Sequence, residues 1–229
     1  MAVNLKEEDL LPVNHGEVHL PCVLVVDTSG SMEGAPILEL NRAMEMFIDV
    51  LRRDSQAMGR VEVCVVSFNS SVEITVPFMP AENFKPPKYN AGGLTSMNEA
   101  VICALDAIEA RKKDYRSCKI RYYRPWVFLM TDGYATEEDV RNCKSEALRR
   151  LQEYRENKKV NFFPMGIGEA ADYISLKEYA GDGVVLKARE ENFCDAFVWL
   201  STSLSIVSNS SPEARIESAK LPQTVEIYC

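Results

Sequence analysis

Five stretches of this chain are apolar without interruption over the length of a strand. They are VHLPCVLVVD (18–27), VEVCVVSF (61–68), PWVFLMTD (125–132), VNFFPMGIG (160–168) and, more weakly, GVVLKA (183–188). A strand with one wet face alternates apolar and polar residues. Continuous apolar runs belong to a sheet covered on both faces, and such sheets are mostly parallel. A sixth stretch, SVEITVPF (71–78), does alternate and follows its predecessor closely. It reads as an antiparallel hairpin partner at a sheet edge.

Helical periodicity fills the intervals. In residues 35–53, Ile37, Leu40, Met44, Phe47, Ile48 and Leu51 recur at helical spacing behind Pro36, which suits a first turn. Residues 96–113 open with Ser96 and Glu99 in a capping-box pattern. Residues 136–157 open at Thr136 and Asp139 and carry Val140, Cys143, Ala147, Leu148, Leu151 and Tyr154 on one face. A last helix carries Phe193, Phe197, Leu200, Leu204 and Val207. The order β-α-β-β-α-β-α-β-α-β-α predicts an α/β fold. It is a doubly wound, Rossmann-like, mostly parallel sheet with one antiparallel edge strand and helices on both faces. No internal repeat is visible. We divide the chain into an N-terminal arm (1–16), one domain (17–208) and a C-terminal tail (209–229), a tail or linker able to dock, in which large apolar residues become scarce.

Open parallel sheets build their sites beyond the carboxyl ends of strands. There the first apolar run ends in Asp27, followed by Thr28, Ser29, Gly30 and Ser31. The run at 125–132 ends in Asp132, and the helix near 96 is preceded by Gly92, Gly93 and Thr95. Each piece alone reads as a helix cap or a turn. Together, two carboxylates and three hydroxyls on one sheet edge form an all-oxygen set of the kind hard cations take. Hydroxyls are neutral ligands, so the ion keeps much of its charge and attracts a further anionic oxygen from outside. Asp27 is expected at the exposed edge of the sheet.

Other chemistries find less support. A phosphatase of the haloacid-dehalogenase type would carry a second aspartate where Ser29 stands. No GxxxxGK phosphate loop occurs. His15 and His19, four apart, precede or begin a strand, where such a spacing separates side chains by about 13 Å. The seven cysteines are widely spaced with no CxxC, so neither a zinc site nor a disulfide framework is expected. No secretory signal or transmembrane run is read, and the cysteine usage suits a reducing cytoplasm. The net charge of -8 disfavours non-specific nucleic-acid binding. One segment opposes that balance: RKKDYRSCKIRYYR (111–124) holds seven basic residues, one acid and three tyrosines. It reads as a solvated loop that contacts an acidic partner. Single-stranded nucleic-acid binding there is the alternative.

DTSGS, Thr95 and Asp132 resemble the metal-ion-dependent adhesion site of von Willebrand factor A domains. The resemblance implies a divalent ion, usually magnesium, with manganese or calcium as substitutes. Ser29, Ser31 and Thr95 would contact it directly or nearly so, and Asp27 and Asp132 directly or through water. A partner protein's Glu or Asp would complete the coordination. A narrower resemblance, carried by YYRPWVFLMTDGYATEED, VNFFPMGIGEAAD and FVWLSTSLSIVSNSSP, is to the bacterial TerY/YegL-type proteins associated with tellurium resistance and stress clusters. It covers most of residues 17–212 and implies a cytoplasmic scaffold or regulator. The chain is thus expected to be a non-enzymatic interaction module, with Arg121, Arg124 and Tyr134 as candidate partner contacts. A metal-dependent hydrolase or phosphatase is the second reading. The sequence leaves the oligomeric state open.

Overall fold

The computed structural model describes residues 16–189, 192, 194–211 and 218–228. The chain runs through β1 (Leu20–Asp27), α1 (Ala35–Leu51), α2 (Ser55–Arg60), β2 (Val61–Phe68), β3 (Val72–Pro80), α3 (Met97–Ser117), β4 (Trp126–Thr131), α4 (Glu137–Glu156), β5 (Asn161–Ile167), α5 (Tyr173–Ala180), β6 (Val185–Ala188), α6 (Cys194–Ser208) and β7 (Val225–Tyr228). The strands form one sheet in the order β3-β2-β1-β4-β5-β6-β7. Strands β2, β1, β4, β5 and β6 are parallel.

Every residue of β1, β2 and β4 is buried, as their continuous apolar character demands. Successive side chains of β1 serve opposite faces. Cys22, Leu24 and Val26 join the core beneath α1 and α6, with Leu40, Phe47, Phe128 and Phe197. Val23 and Val25 join the core beneath α3, α4 and α5, with Leu105, Leu151 and Tyr179. The apolar helix stripes read from sequence are core contacts except at the start of α4, where Val140 is exposed and Cys143 is only partly buried; Phe193 lies outside the described residues.

The expected antiparallel edge strand is β3, paired with β2. A second antiparallel strand, β7, closes the opposite edge against β6, with Val225 opposite Ala188 and Tyr228 opposite Val185. Residues 209–229 read as a tail or linker able to dock, and 218–228 do lie against the body of the fold, as a strand that was not foreseen. The indole Nε1 of Trp199 donates to the Ala219 carbonyl at 2.8 Å, and Thr224 Oγ1 donates to Asp195 at 2.6 Å. Only Val225 of its four residues is buried, with Glu226 and Ile227 exposed, so no continuous apolar run marks this strand as one marks the equally short β6. The short α2 was also unanticipated. Asp54 starts it, accepting from the backbone N–H groups of Gln56 and Ala57.

The chain leaves β1 for β2 on one side and later returns to β4 on the other. This reversal opens a crevice at the carboxyl ends of β1 and β4, where side chains can converge.

Candidate metal centre

Asp27 ends β1 and is fully buried, not exposed at the edge as expected. One carboxylate oxygen accepts from the Ser29 backbone N–H at 2.8 Å, and the other from Thr131 Oγ1 at 2.5 Å. Thr131 is the last residue of β4, the neighbouring strand, and sequence reading passed over it. Its signal was its position next to Asp132 at the end of an apolar run. Beyond Asp27 the chain turns away, pinned by Thr28, whose N–H and hydroxyl both donate to the Phe68 carbonyl at 2.8 and 3.0 Å.

A single 3-10 turn, Gly30–Met32, follows. It brings Ser29 Oγ within 3.0 Å of Ser31 Oγ, and Ser31 Oγ donates to Asp132 Oδ1 at 2.7 Å. Asp27, Ser29, Ser31 and Asp132 therefore form one continuous set across the crevice. Thr95 is joined to it through backbone. The Gly93 carbonyl accepts from Gly30 N–H at 3.0 Å, and the Thr95 carbonyl accepts from Thr136 N–H at 3.0 Å. Gly93 holds φ at +81, which glycine adopts without strain, and a Cβ there would lie 2.6 Å from Ser70 Oγ.

The start of α3 is secured differently from the expected capping box. Ser96 makes no side-chain cap. Instead Asp139, from α4, accepts from Asn98 N–H at 2.8 Å, Asn98 Nδ2 at 2.7 Å and Glu99 N–H at 3.0 Å. Thr136 caps α4 as expected, its hydroxyl accepting from Asp139 N–H at 3.3 Å. Asp139 thereby fixes the segment carrying Thr95 against the one carrying Asp132.

The electrostatics of the centre favour a cation. Burial pushes the Asp27 carboxyl up to about 6; hydrogen bonds from Ser29 and Thr131 oppose the rise and the charge of Asp132 adds to it. Burial also raises Asp132, against the Ser31 hydrogen bond. Two carboxyls held close together, both harder to ionise than usual, lack positive charge. Among the described residues no group of three or more His, Cys, Asp or Glu side chains is placed to hold a metal. The side chains that meet at the crevice offer carboxylate and hydroxyl oxygen. That chemistry suits a hard divalent ion with room for water or an external oxygen.

The remaining candidates divide. Tyr134, 65% exposed, lies two residues past Asp132 on the rim of the crevice, as does Leu94, 61% exposed, beside Thr95. Arg121 and Arg124 are exposed but precede β4, so they lie at the opposite end of the sheet, about 25 Å or more away at strand rise. They cannot share one small contact with the centre. The basic segment is also less a loop than expected. Arg111 and Lys112 are buried within α3, paired with Glu62 at 2.6 Å and Glu109 at 3.0 Å. Its tyrosines are engaged: Tyr115 donates to Glu62, Tyr122 stacks on Tyr115 at 5.0 Å, and Tyr123 donates to the Ser210 carbonyl. His19 is buried against Glu62 at 2.7 Å, at the start of β1; His15 lies outside the described residues.

Residues 22–194 match the family model for the von Willebrand factor type A domain. No curated protein matches the chain. Among solved structures, a von Willebrand factor type A protein from Catenulispora acidiphila is similar over 82% of this chain, with 17% identity and a TM-score of 0.63. This chain spans 43% of that one. The manganese-loaded TRAP protein of Plasmodium vivax aligns with 80% of this chain and 73% of its own, at 21% identity and a TM-score of 0.55. Proximal thread matrix protein 1 of the mussel byssus, solved with zinc in its MIDAS motif, aligns with 82% of this chain and 48% of its own, at 15% identity and a TM-score of 0.53. At these identities the likeness is one of fold.

Proposed function

Because the chain belongs to the von Willebrand factor type A domain family, we propose that its crevice is a metal-dependent docking site for another protein. Asp27, Ser29, Ser31, Thr95 and Asp132 would hold the ion, and a Glu or Asp of the partner would complete its coordination. Magnesium is the ion proposed for the cell, with manganese or calcium able to replace it. The observation that carries this reading is the Asp27, Ser29, Ser31 and Asp132 set, with both carboxyls raised by burial. The ion would supply the positive charge that set lacks. The protein's own part is to hold the oxygens in place and to present Tyr134 and Leu94 as apolar area beside the incoming carboxylate.

The site is read as one of binding rather than catalysis. Its serine hydroxyls are bonded to each other and to Asp132, a chain that fits them as ion ligands and shows no serine–histidine pair of the kind that activates a nucleophile. We propose a role as a cytoplasmic scaffold or regulator in bacterial stress or tellurium resistance, a reading supported only by the sequence resemblance to TerY/YegL-type proteins. No described helix is long and apolar enough to cross a membrane.

Calorimetric titration of chelator-stripped protein with magnesium, manganese and calcium tests the proposal. One-site binding in the wild type, lost in Ser31→Ala, is the expected result. Acetate added to the manganese-loaded protein should then displace a bound water, read by water-proton relaxation. Failure of all three ions to bind would overturn the metal reading. Ion binding without acetate access would overturn the docking mechanism alone.

A further inference from the structure

Helices α3 and α4 end at the same end of the sheet, and they end in the same way. At each, the residue after the cap has a positive φ: 56 at Lys119 and 51 at Lys158. Lys119 N–H donates to Arg116 O at 3.3 Å and Ile120 N–H to Tyr115 O at 2.9 Å. Lys158 N–H donates to Arg155 O at 2.9 Å and Lys159 N–H to Tyr154 O at 2.7 Å. These are twin Schellman endings, whose left-handed position is normally glycine or asparagine because a Cβ is strained there. They are the two non-glycine residues with positive φ among those described, and both are lysine.

The helix dipole favours a cation anywhere in the last turn. It does not require one at the residue where a side chain is strained. Arg116 lies in the last turn of α3 and Arg121 and Arg124 between Lys119 and β4, all exposed. Arg124 reaches Asn161 Oδ1 at 3.2 Å, linking the segment before β4 to the start of β5. None of the five forms an ion pair with a described residue. Three acids near these helix ends have partners: Asp114 lies 3.9 Å from Arg111, Glu153 pairs with Lys159 at 2.7 Å, and Glu156 accepts from Gln152; Asp182, before β6, is exposed. Seven of the chain's 26 Lys and Arg, and one of its 34 acids, fall in residues 111–124. The segment is held in place by His19 N–H donating to the Arg121 carbonyl and by the stacking of Tyr122 on Tyr115.

We propose that Arg116, Lys119, Arg121, Arg124 and Lys158 form a second docking surface, for an acidic segment of a partner protein, independent of the metal centre at the other end of the sheet. A held basic surface on an otherwise acidic protein attracts a short anionic segment and repels a long polyanion elsewhere. The tyrosines that would stack on bases are packed, which favours a peptide over a single-stranded nucleic acid.

The probe is fluorescein-labelled octaglutamate, followed by anisotropy, with a Gly-Ser octapeptide and an oligo-dT of equal charge as comparators. The expected result is binding to octaglutamate that weakens at least tenfold between about 50 and 300 mM salt and survives chelator. The double variant Lys119→Gly/Lys158→Gly should bind at least fivefold more weakly while its melting temperature does not fall, since glycine suits both endings. Arg121→Glu/Arg124→Glu should abolish binding. Equal binding of octaglutamate and the neutral peptide, unchanged binding in the glycine variant, or tighter binding of oligo-dT would each overturn the proposal.

Discussion

Asp139 grips Asn98 twice, accepting from its backbone N–H at 2.8 Å and from its side-chain Nδ2 at 2.7 Å, across 41 residues of sequence. Both residues are buried, and the other end of the Asn98 amide accepts from Tyr179 O–H. One carboxylate thus sets the spacing between the segments that carry Thr95 and Asp132.

Removing that carboxylate should damage both stability and the centre. Asp139→Ala leaves two backbone donors and one side-chain donor unsatisfied in the interior, at a cost of about 2–4 kcal/mol in urea unfolding. Asp139→Asn keeps an acceptor and should lose about half as much. In both, metal affinity measured by calorimetry should fall. An equally destabilising core change, Leu151→Ala, should leave affinity unaltered.

The centre should also respond to pH through Asp27. Its carboxyl is raised by burial to about 6, so the folded protein holds a proton there that the unfolded chain has released. As pH rises from about 4 to 6 the metal-free fold therefore loses stability, on the order of 3 kcal/mol in all, and an ion restores it. Stabilisation by magnesium, measured as a shift in melting temperature, should be large at pH 7.5 and shrink below about pH 6. Asp27→Asn should remove both the ion effect and this pH dependence.

Glu62 predicts the opposite sign. It is fully buried; burial alone would raise its pKa, but hydrogen bonds from His19, Arg111 and Tyr115 together with the Arg111 charge hold it below the usual range. Its contribution is present above the unfolded carboxyl value and is lost as pH falls through the lower, folded one. Glu62→Ala strands three buried partners, and about 3–5 kcal/mol should be lost, read by urea unfolding. Glu62→Gln, which keeps the shape, should lose less and should flatten the acid limb of the stability profile.

Gly93→Ala isolates backbone geometry from ligand chemistry. The added Cβ meets Ser70 Oγ at 2.6 Å, and φ is +81, so the loop must shift. We expect a stability loss of about 1–2 kcal/mol. Metal affinity should fall at least tenfold although no ligand is altered, because Gly93 O anchors Gly30 and precedes Thr95. Calorimetry on this variant beside Ser31→Ala compares the two effects.

Much of the fold was legible in the sequence because burial on both faces leaves a local signature. Residues 61–68 were read as a strand to the residue, and the helix beginning at Thr136 was found from its cap. β7 was missed because only Val225 of its residues is buried, and the segment becomes a strand only where β6 offers its open edge. Of the centre, Asp27, Ser29, Ser31, Thr95 and Asp132 were readable as oxygen donors at strand and helix ends. Thr131 was passed over, and Asp139 was read only as part of its own helix start, since the partners of the two are 104 and 41 residues away.

The sequence by itself determined the layers, the strand types and the chemistry at the sheet edge, because hydrophobic period and side-chain oxygens are properties of short stretches. The tertiary structure alone decided what depends on distant segments meeting. It buried Asp27 beneath the edge, so that its charge is costly without an ion. It drew Arg111 and the tyrosines of the basic segment inward, and it set Arg121 and Arg124 at the end of the sheet away from Asp132. Burial and proximity are set by which strands become neighbours, and the order β3-β2-β1-β4-β5-β6-β7 is not written in any single segment.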